Sequence, residues 1–413
     1  MLFFSFILYL ATAFYPAYLC RIYGKYSPIP NLALYLAVSF PIVFNTMKAL
    51  AAFILISEEL ESGLCFAYFM ESSRNLIIFL SILLIAKLAA RVKQVNRFIG
   101  DQSRITHKKT LVLTSFFLIF LGVISLTFVA NSSFGVFNWV LNPRDGYQFH
   151  RAGYGLFFSI FVNCIAISSA FLVLSQTKLA NLFFLMLLLA PITYLGGMKL
   201  ALVSIFLLFC FQALILRKKR KFGLIAVVSP LMLLPIFLNF FSSSIDGSGV
   251  IAILNYFDYF LNSALFYETY LNGKFELFGG RIWWSSYLSY LPSFFFADLR
   301  PDIYGPILVN EHFWPGLADR GHFPSFTQSV YTFADFGVIG VLLSVLSAEV
   351  CYHGALVYGI IRGLVPTHPA MIIFLGMNLS PAFGSFLPAP IFLISTLLLI
   401  YYLKKVKLIV SRP

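Results

Sequence analysis

Six basic residues carry much of the chemistry that the sequence offers. They are Arg144, Arg151, Lys199, Arg281, Arg300 and Arg320. All six lie where cations are otherwise scarce, and a charge near membrane depth commonly marks a ligand or a pathway. A single Lys or Arg near a helix end is also explained by snorkelling of its charge to the interface. For the whole set we expect a shared anionic ligand, and a pyrophosphate at the membrane surface fits because guanidinium groups bind phosphate oxygens in pairs.

The segment 242–326 contains three of these cations and many aromatic residues. It is longer than ordinary connections, and its aromatic content is unlike that of a disordered segment. One interpretation is an aromatic belt at the membrane interface. The other is a sugar platform, in which aromatic faces pack on pyranose rings, and for it we single out Trp283 and Trp284. We predict helices at Asn255–Leu271 and Arg281–Leu291.

The elements that must position these residues are membrane helices. The chain of 413 residues is 60% hydrophobic and 11% charged, whereas a soluble domain carries about 25% charged residues. Continuous apolar segments recur from end to end, each long enough to cross a bilayer, and helices satisfy their backbone within the membrane. We place spans at 2–20, 32–56, 66–90, 111–130, 154–174, 179–195, 198–216, 222–241, 327–361, 369–383 and 386–403.

The charge pattern predicts the orientation. Strongly basic connections, such as Arg217–Lys221, fall on one side, and the acidic Glu58–Glu61 falls on the other, as the positive-inside rule requires. The predicted fold is therefore an all-α polytopic membrane protein of about eleven transmembrane helices. Residues 1–413 form a single integral membrane domain with its N-terminus outside and its C-terminus in the cytoplasm. Residues 131–153 form a smaller outer loop, and 242–326 form a large, partly helical one.

Several classes of function are disfavoured. The net charge of +13 is explained by the basic cytoplasmic connections, so we expect no nucleic-acid partner. The five cysteines show no ligand spacing, and a phosphate loop for ATP is absent. Glu59-Leu60-Glu61 has an acid-x-acid form that could bind a metal, but a short acidic stretch is also ordinary for an outer connection. We expect neither a metal nor another cofactor.

Three segments resemble the O-antigen polymerase (Wzy-type) family, bacterial enzymes that join undecaprenyl-pyrophosphate-linked oligosaccharide repeat units. Leu195–Leu202 is similar to the Gly-x-Arg start of a central span, with Lys199 in place of Arg. His322–Phe326, followed by Asp335–Gly340, resembles the end of the large periplasmic loop and the FGxxG span after it. Asn142–Arg144 and His150-Arg151 resemble the smaller basic loop. An Arg-x10-Gly spacing found in some members is not evident.

The resemblance implies a metal-independent, GT-C-like membrane glycosyltransferase that acts at the periplasmic face of the bacterial inner membrane. Its partners would be undecaprenyl-pyrophosphate-linked oligosaccharides, the lipid bilayer and a chain-length regulator protein. The cations would stabilise the pyrophosphate leaving group. The general base would be His322, Glu268 or Asp335, in that order. Structural alternatives stay open, because His322 could cap a helix before Pro324 and Asp335 could serve packing inside the bundle.

Three other functions compete with this one. An O-antigen ligase would share the architecture and the donor but transfer the polysaccharide to lipid A core, and its His-x-x-Asn pattern is not reproduced here. A flippase or transporter of lipid-linked oligosaccharides would be expected to show internal repeats and midplane charges. A non-enzymatic membrane subunit would leave the outer cations without a task.

Overall fold

The computed structural model describes residues 1–15, 45–91, 108–150, 154–175, 179–197, 258–288, 303, 305–316 and 324–350. Within these ranges every regular element is helical, and none is a strand. In chain order the helices are α1 (Leu2–Ala13), α2 (Asn45–Leu55), α3 (Glu61–Arg91), α4 (Lys108–Ser133), α5 (Val136–Leu141), α6 (Pro143–Asp145), α7 (Gly155–Ser175), α8 (Leu179–Tyr194), α9 (Tyr259–Leu271), α10 (Arg281–Leu288), α11 (Ile307–Phe313) and α12 (Gln328–Ser344). A 3₁₀ turn (Glu58–Leu60) precedes α3, and π-helical turns follow α6 (Gly146–His150) and α12 (Val345–Val350).

Three of these helices are long and apolar enough to cross a membrane, at Glu58–Ala89, Lys109–Ser133 and Gly155–Val173. Shorter apolar helices lie at Leu2–Ala13, Asn45–Leu55, Ala180–Tyr194 and Gln328–Ser344, each within or overlapping a predicted span. The helical, multi-pass character of the chain is thereby confirmed. The number of eleven spans and the orientation of the termini stay predictions. The predicted spans 198–216, 222–241, 369–383 and 386–403 lie outside the described residues.

One helix pair carries a large apolar surface towards its surroundings. Helix α4 packs against α7, with Gly122 beside Cys164. On its other side α4 leaves Phe117 and Phe120 about two-thirds exposed, at 64% and 65%. Soluble proteins rarely expose large apolar patches. We therefore expect lipid to cover these two side chains.

The helices predicted inside the large loop are confirmed where the structure describes them, at Tyr259–Leu271 and Arg281–Leu288. Helix α9 lies antiparallel to the first part of α3, since Glu268 pairs with Gly63 and Phe260 contacts Tyr68 further along. Phe260 is buried in this contact, whereas Phe266 is buried against other rings, including that of Phe333 in α12. The ring of Tyr9 from α1 packs 4.9 Å from that of Phe260. Part of the loop therefore belongs to the helical core.

Helix α12 is kinked in the middle of the FGxxG segment. Phe336 has φ −137° and ψ 17°, and Gly337 has φ +63° and ψ −149°, a conformation that only glycine adopts without strain. A Cβ on Gly340 would overlap the carbonyl oxygen of Thr332. The first glycine therefore permits the kink, and the second permits the close approach of the two halves.

Gly63 gives a direct test of the contact between α3 and α9. A Cβ at this position would overlap the carbonyl oxygen of Ala264 and lie 2.8 Å from the backbone nitrogen of Glu268. Because backbone atoms cannot rotate away, we expect Gly63→Ala to lower the free energy of unfolding by about 1–3 kcal/mol. The measurement is denaturant unfolding of the full chain in detergent.

The matched control for this test is Gly122→Ala within α4. There the nearest atom to the new Cβ is the Cβ of Cys164, at 3.1 Å. Small shifts between two side-chain atoms relieve such a contact, and alanine is the better helix former by about 1 kcal/mol. Equal losses in the two variants would contradict the proposed close packing at Gly63.

Candidate functional site

Arg281 and Trp284 share the exposed face of α10. They are three positions apart, a spacing that places two side chains on one face of a helix. Arg281 is exposed, and Trp284 is 58% exposed. Within the described part of the chain, the guanidinium group of Arg281 forms no ion pair. Trp283 is half-buried, with its ring 5.4 Å from that of Tyr287. A cation and an indole ring are thus presented together, a combination suited to a phosphorylated sugar.

Asp335 holds the beginning of that helix. Its Oδ1 atom accepts hydrogen bonds from the backbone nitrogens of Gly280 (2.9 Å) and Ile282 (3.1 Å), and its Oδ2 atom accepts one from Trp283 (2.8 Å). The side chain is only 1% exposed. The structure thus places this predicted general base at the N-terminus of α10. Its role as a base stays a prediction.

Glu268, the second predicted base in the described region, lies at another helix beginning. Its Oε2 atom accepts hydrogen bonds from the Ser62 hydroxyl and from the backbone nitrogen of Gly63 (2.8 Å), both in the first turn of α3. Asn272 donates to its Oε1 atom at 3.1 Å. The hydrogen bond from Ser62 has the largest effect and lowers the pKa of Glu268; burial opposes it, and the hydrogen bonds from Gly63 and Asn272 add to the lowering. A lowered pKa makes this carboxylate a weaker base.

A third carboxylate, that of Glu71, lies within the apolar part of α3. Its Oε2 atom pairs with Nη1 of Arg74 at 3.2 Å, and its Oε1 atom accepts the backbone N–H of Ser329 at 2.9 Å. Arg74 also donates to Oε1 of Gln328 at 2.7 Å. The pair therefore fastens the first turn of α12 to α3. These are the positions where the large loop returns to the bundle.

Lys48 of α2 and Asp258, at the N-terminus of α9, lie close to this pair. The Nζ atom of Lys48 is 3.7 Å from the centre of the Tyr259 ring, and its charge interacts with those of Glu71 and Asp258. Burial raises the pKa of Asp258 to about 6, although hydrogen bonding to Asn262 and the charge of Lys48 oppose the rise. We call Lys48, Glu71, Arg74, Asp258 and Gln328 the polar layer.

Hydroxyl groups continue the polar layer towards the end of the large loop. The backbone nitrogen of Thr327 donates to the Ser263 hydroxyl at 2.9 Å, and the two hydroxyl groups lie 3.0 Å apart. Tyr267 and Ser329 share a hydrogen bond of 3.1 Å between their hydroxyls. Asn262 donates to the carbonyl oxygen of Ser325 at 3.0 Å. The segment from Ser325 to Ser329 is therefore hydrogen-bonded to both α3 and α9.

Arg144 lies on a different group of elements. It donates to the carbonyl oxygen of Gly197 at 3.2 Å, and its guanidinium carbon is 5.4 Å from the centre of the Tyr147 ring. Gly197 has φ +65°, and a Cβ there would overlap the carbonyl oxygen of Pro143. The smaller loop and the Gly196-Gly197 turn, two positions before Lys199 in the chain, are thus packed together as one surface.

The remaining predicted site residues, Arg151, Lys199, Arg300, Arg320 and His322, lie outside the described residues. Sequence reasoning missed the polar layer as a group. The available signal was Lys48 inside the predicted span 32–56 and Glu71 and Arg74 inside the span 66–90, since ionisable residues within a membrane segment are functional candidates. Across the described ranges, no group of three or more His, Cys, Asp or Glu side chains is arranged to hold a metal ion.

Comparisons with known proteins show that the chain is similar to two curated O-antigen polymerases. It is similar to O-antigen polymerases from Salmonella typhimurium strain LT2 and from Salmonella typhi, with 27% identity over 256 residues in each case. The matched region covers 60% of this chain and 60% of the length of each curated relative. No protein-family model matches the chain. No solved structure matches it either.

Because Glu71 and Arg74 are paired, we predict that the losses of stability in their single variants do not add up in the double variant. Removing one partner strands a buried charge, so Glu71→Leu or Arg74→Met alone should lower the free energy of unfolding by about 3–5 kcal/mol. The double variant should lose clearly less than the sum of the single losses. Denaturant unfolding in detergent measures all three values, with Lys87→Met at an exposed position of the same helix as the control. Additivity to within about 0.5 kcal/mol would show that the pair is not coupled.

Asp258 predicts a pH dependence of stability. Its pKa of about 6 lies above the ordinary value of 3.8, so the folded state binds more protons than the unfolded state between these values. Stability from this group therefore falls as the pH rises through that window. As the pH rises from about 4 to about 7, the stability of Asp258→Asn relative to the unchanged protein should therefore increase, by at most about 3 kcal/mol.

Melting temperatures in detergent across this pH range test the prediction for Asp258. Lys48 and Asn262 are the side chains whose charge or hydrogen bonding acts on it. The exposed Asp145→Asn variant controls for the loss of a carboxylate. Parallel curves for Asp258→Asn and the unchanged protein would contradict the raised pKa.

Proposed function

We propose that this protein is a membrane polymerase that joins undecaprenyl-pyrophosphate-linked oligosaccharide repeat units into O-antigen or a related polysaccharide. The observation that carries the proposal is the similarity to two O-antigen polymerases over 60% of the chain. The helical, multi-pass character of the described residues agrees with a substrate that is itself anchored in a membrane. In this proposal the reaction takes place at the periplasmic face of the bacterial inner membrane, in a protein of about eleven spans.

The exposed face of α10 supports a role in binding the donor. Arg281 offers a guanidinium fork that matches two phosphate oxygens, and Trp284 beside it offers an apolar face for a sugar ring. We propose that Arg144, Arg151, Lys199, Arg300, Arg320 and Trp283 complete the binding surface. Fixed cations of this kind stabilise a pyrophosphate leaving group without a metal, because they already point to where negative charge develops.

The proposed reaction transfers the growing chain to the next lipid-linked unit. A hydroxyl oxygen of the acceptor sugar forms a bond to the reducing-end carbon of the donor chain. The bond between that carbon and the pyrophosphate oxygen breaks, and its electron pair leaves with the pyrophosphate. The hydroxyl proton passes to a general base on the protein. The products are a chain longer by one unit and a free lipid pyrophosphate, so no oxidant or nucleotide is needed.

Among the predicted bases we propose His322 for this proton transfer. Glu268 already accepts three hydrogen bonds and has a lowered pKa, and Asp335 accepts three backbone hydrogen bonds in a buried position. An unperturbed histidine has a pKa of about 6.5, close to the working pH, which favours general-base catalysis. Residues Ser325–Ser329, just after His322 in the chain, are hydrogen-bonded to α3 and α9.

Deletion of the gene in the source bacterium tests the activity. We expect lipid A core capped by a single repeat unit, because attachment continues when polymerisation stops. Gel separation of the lipopolysaccharide measures the outcome, and restoration of the ladder by a plasmid copy is the control. Complete loss of attached O-antigen would instead identify a ligase, and an unchanged ladder would refute both activities. A chain-length regulator, the partner that we propose, would set the modal length of the restored ladder.

Substitutions on α10 test the donor site. Arg281→Ala and Trp284→Ala should each shorten the polysaccharide chains or abolish them, with a loss of activity of about tenfold or more per side chain. Glu276→Gln, an exposed acid in the same loop, is the matched control and should leave the ladder unchanged. Immunoblotting of membrane fractions must show equal insertion of all variants. Normal ladders in both α10 variants would remove this face from the site.

A further inference from the structure

We infer that Asp335 is a positioning residue of the donor site, which holds α10 so that Arg281 and Trp284 face outward together. The inference rests on the function proposed for those two side chains. The proposed reaction assigns no chemical role to Asp335-Phe336-Gly337 in the FGxxG segment, and this inference assigns these residues a structural one. The hydrogen bonds that the Asp335 carboxylate accepts come from backbone nitrogens at the start of α10, so its influence on the substrate would pass through that backbone.

The free backbone donors at the start of α10 match the acceptor oxygens of Asp335. The opening N–H groups of a helix have no partner within the helix. For α10, those of Ile282 and Trp283 both donate to the Asp335 carboxylate, together with that of Gly280 just before the helix. The negative charge also lies at the positive end of the helix dipole. The carboxylate of Asp335 therefore holds the first backbone N–H groups of α10 in place.

The kink in α12 brings further hydrogen-bonding backbone to the start of α10. The carbonyl oxygens of Ala334 and Asp335 accept hydrogen bonds from Phe278 (2.8 Å) and Gly279 (2.9 Å). The positive φ of Gly337 redirects the helix at the point where these carbonyls leave its hydrogen-bonding ladder. The turn before α10 is thus hydrogen-bonded to α12 by main chain as well as by the carboxylate.

Helix α10 is also held from another side, by the segment that contains Gly305. The backbone nitrogen of Gly305 donates to the Ser285 hydroxyl at 2.8 Å, and a Cβ on Gly305 would come within 2.7 Å of the Ser286 hydroxyl. Ile282 is fully buried. With its beginning and its inner face both fixed, rotation of α10 about its axis is blocked. Arg281 and Trp284 keep the outward face.

Two variants separate positioning from base catalysis. Asn at 335 keeps one oxygen that can accept the Gly280 and Ile282 hydrogen bonds and loses only the acceptor for Trp283, whereas Ala loses all three. If Asp335 positions α10, Asp335→Asn should raise KM for the strain's own lipid-linked repeat unit about tenfold, and Asp335→Ala should do markedly more harm. A general base predicts instead that kcat falls by about 10²–10⁴-fold in both variants alike.

A double variant tests whether Asp335 acts through the outward face. In an Arg281→Ala/Trp284→Ala background, Asp335→Asn should change KM little further, because the side chains that it positions are already gone. The pH profile of kcat should keep its shape in Asp335→Asn. An undiminished Asp335→Asn effect in that background, or a pH profile that loses a limb, would overturn the inference.

Hydrogen exchange gives a readout that does not depend on activity. In the purified full chain, Asp335→Ala should speed exchange at the amides of Gly280, Ile282 and Trp283 by tenfold or more, while amides around Tyr68 in α3 stay protected. Glu276→Gln is the control. Unchanged exchange at the three amides would refute the positioning role even if the deletion strain proves the polymerase. Faster exchange in a protein whose deletion leaves normal polysaccharide would refute the proposed function instead.

Discussion

The structure depends on how the free N–H groups at helix beginnings find carboxylate acceptors on other helices. Three carboxylates meet this need. Glu268 of α9 bonds the first turn of α3, Glu71 of α3 bonds that of α12, and Asp335 of α12 bonds that of α10. The four helices are linked in series, each holding the beginning of the next. Because an unmet buried donor costs about 1–3 kcal/mol, every link constrains the direction of a helix as well as its stability.

This series connects a predicted membrane span to the surface where we place the donor. Helix α3 carries Glu71 within its apolar stretch, and two links later α10 presents Trp284 outward. The aromatic residues of the large loop divide accordingly. Phe266 is fully buried, in edge contact with Phe333 of α12 at 6.1 Å, and therefore belongs to the core. The two interpretations of an interface belt and a sugar platform both overlooked this third role, and only exposed rings such as Trp284 stay available for a sugar.

Hydropathy alone predicted the helical membrane class and most of the described helix positions, because a long apolar segment has few alternatives in a bilayer. It could not predict that α12 bends at Gly337 or that α9 packs on Gly63. Both features come from single glycines whose lack of a Cβ matters only once a second backbone lies beside them. Hydropathy averaged over a segment gives each such glycine the same weight as any other residue. It therefore predicts the spans but not the glycine contacts that determine how the loop packs.

The residue types in the sequence were enough to predict binding residues of the candidate site. They were not enough to predict the role of a carboxylate, which depends on its hydrogen-bond partners in the fold. Arg281 and Trp284 were singled out for their chemistry, and the structure places both on one exposed face. Glu268 and Asp335 were chosen as bases because a carboxylate can accept a proton, but a sequence does not count the hydrogen bonds that a carboxylate already accepts. Each accepts three here. For Glu268 these hydrogen bonds lower the pKa, so that carboxylate gains little from a proton. In a protein poor in charge, each acid must therefore be assigned first to the backbone donors around it, and only what is left over is free for catalysis.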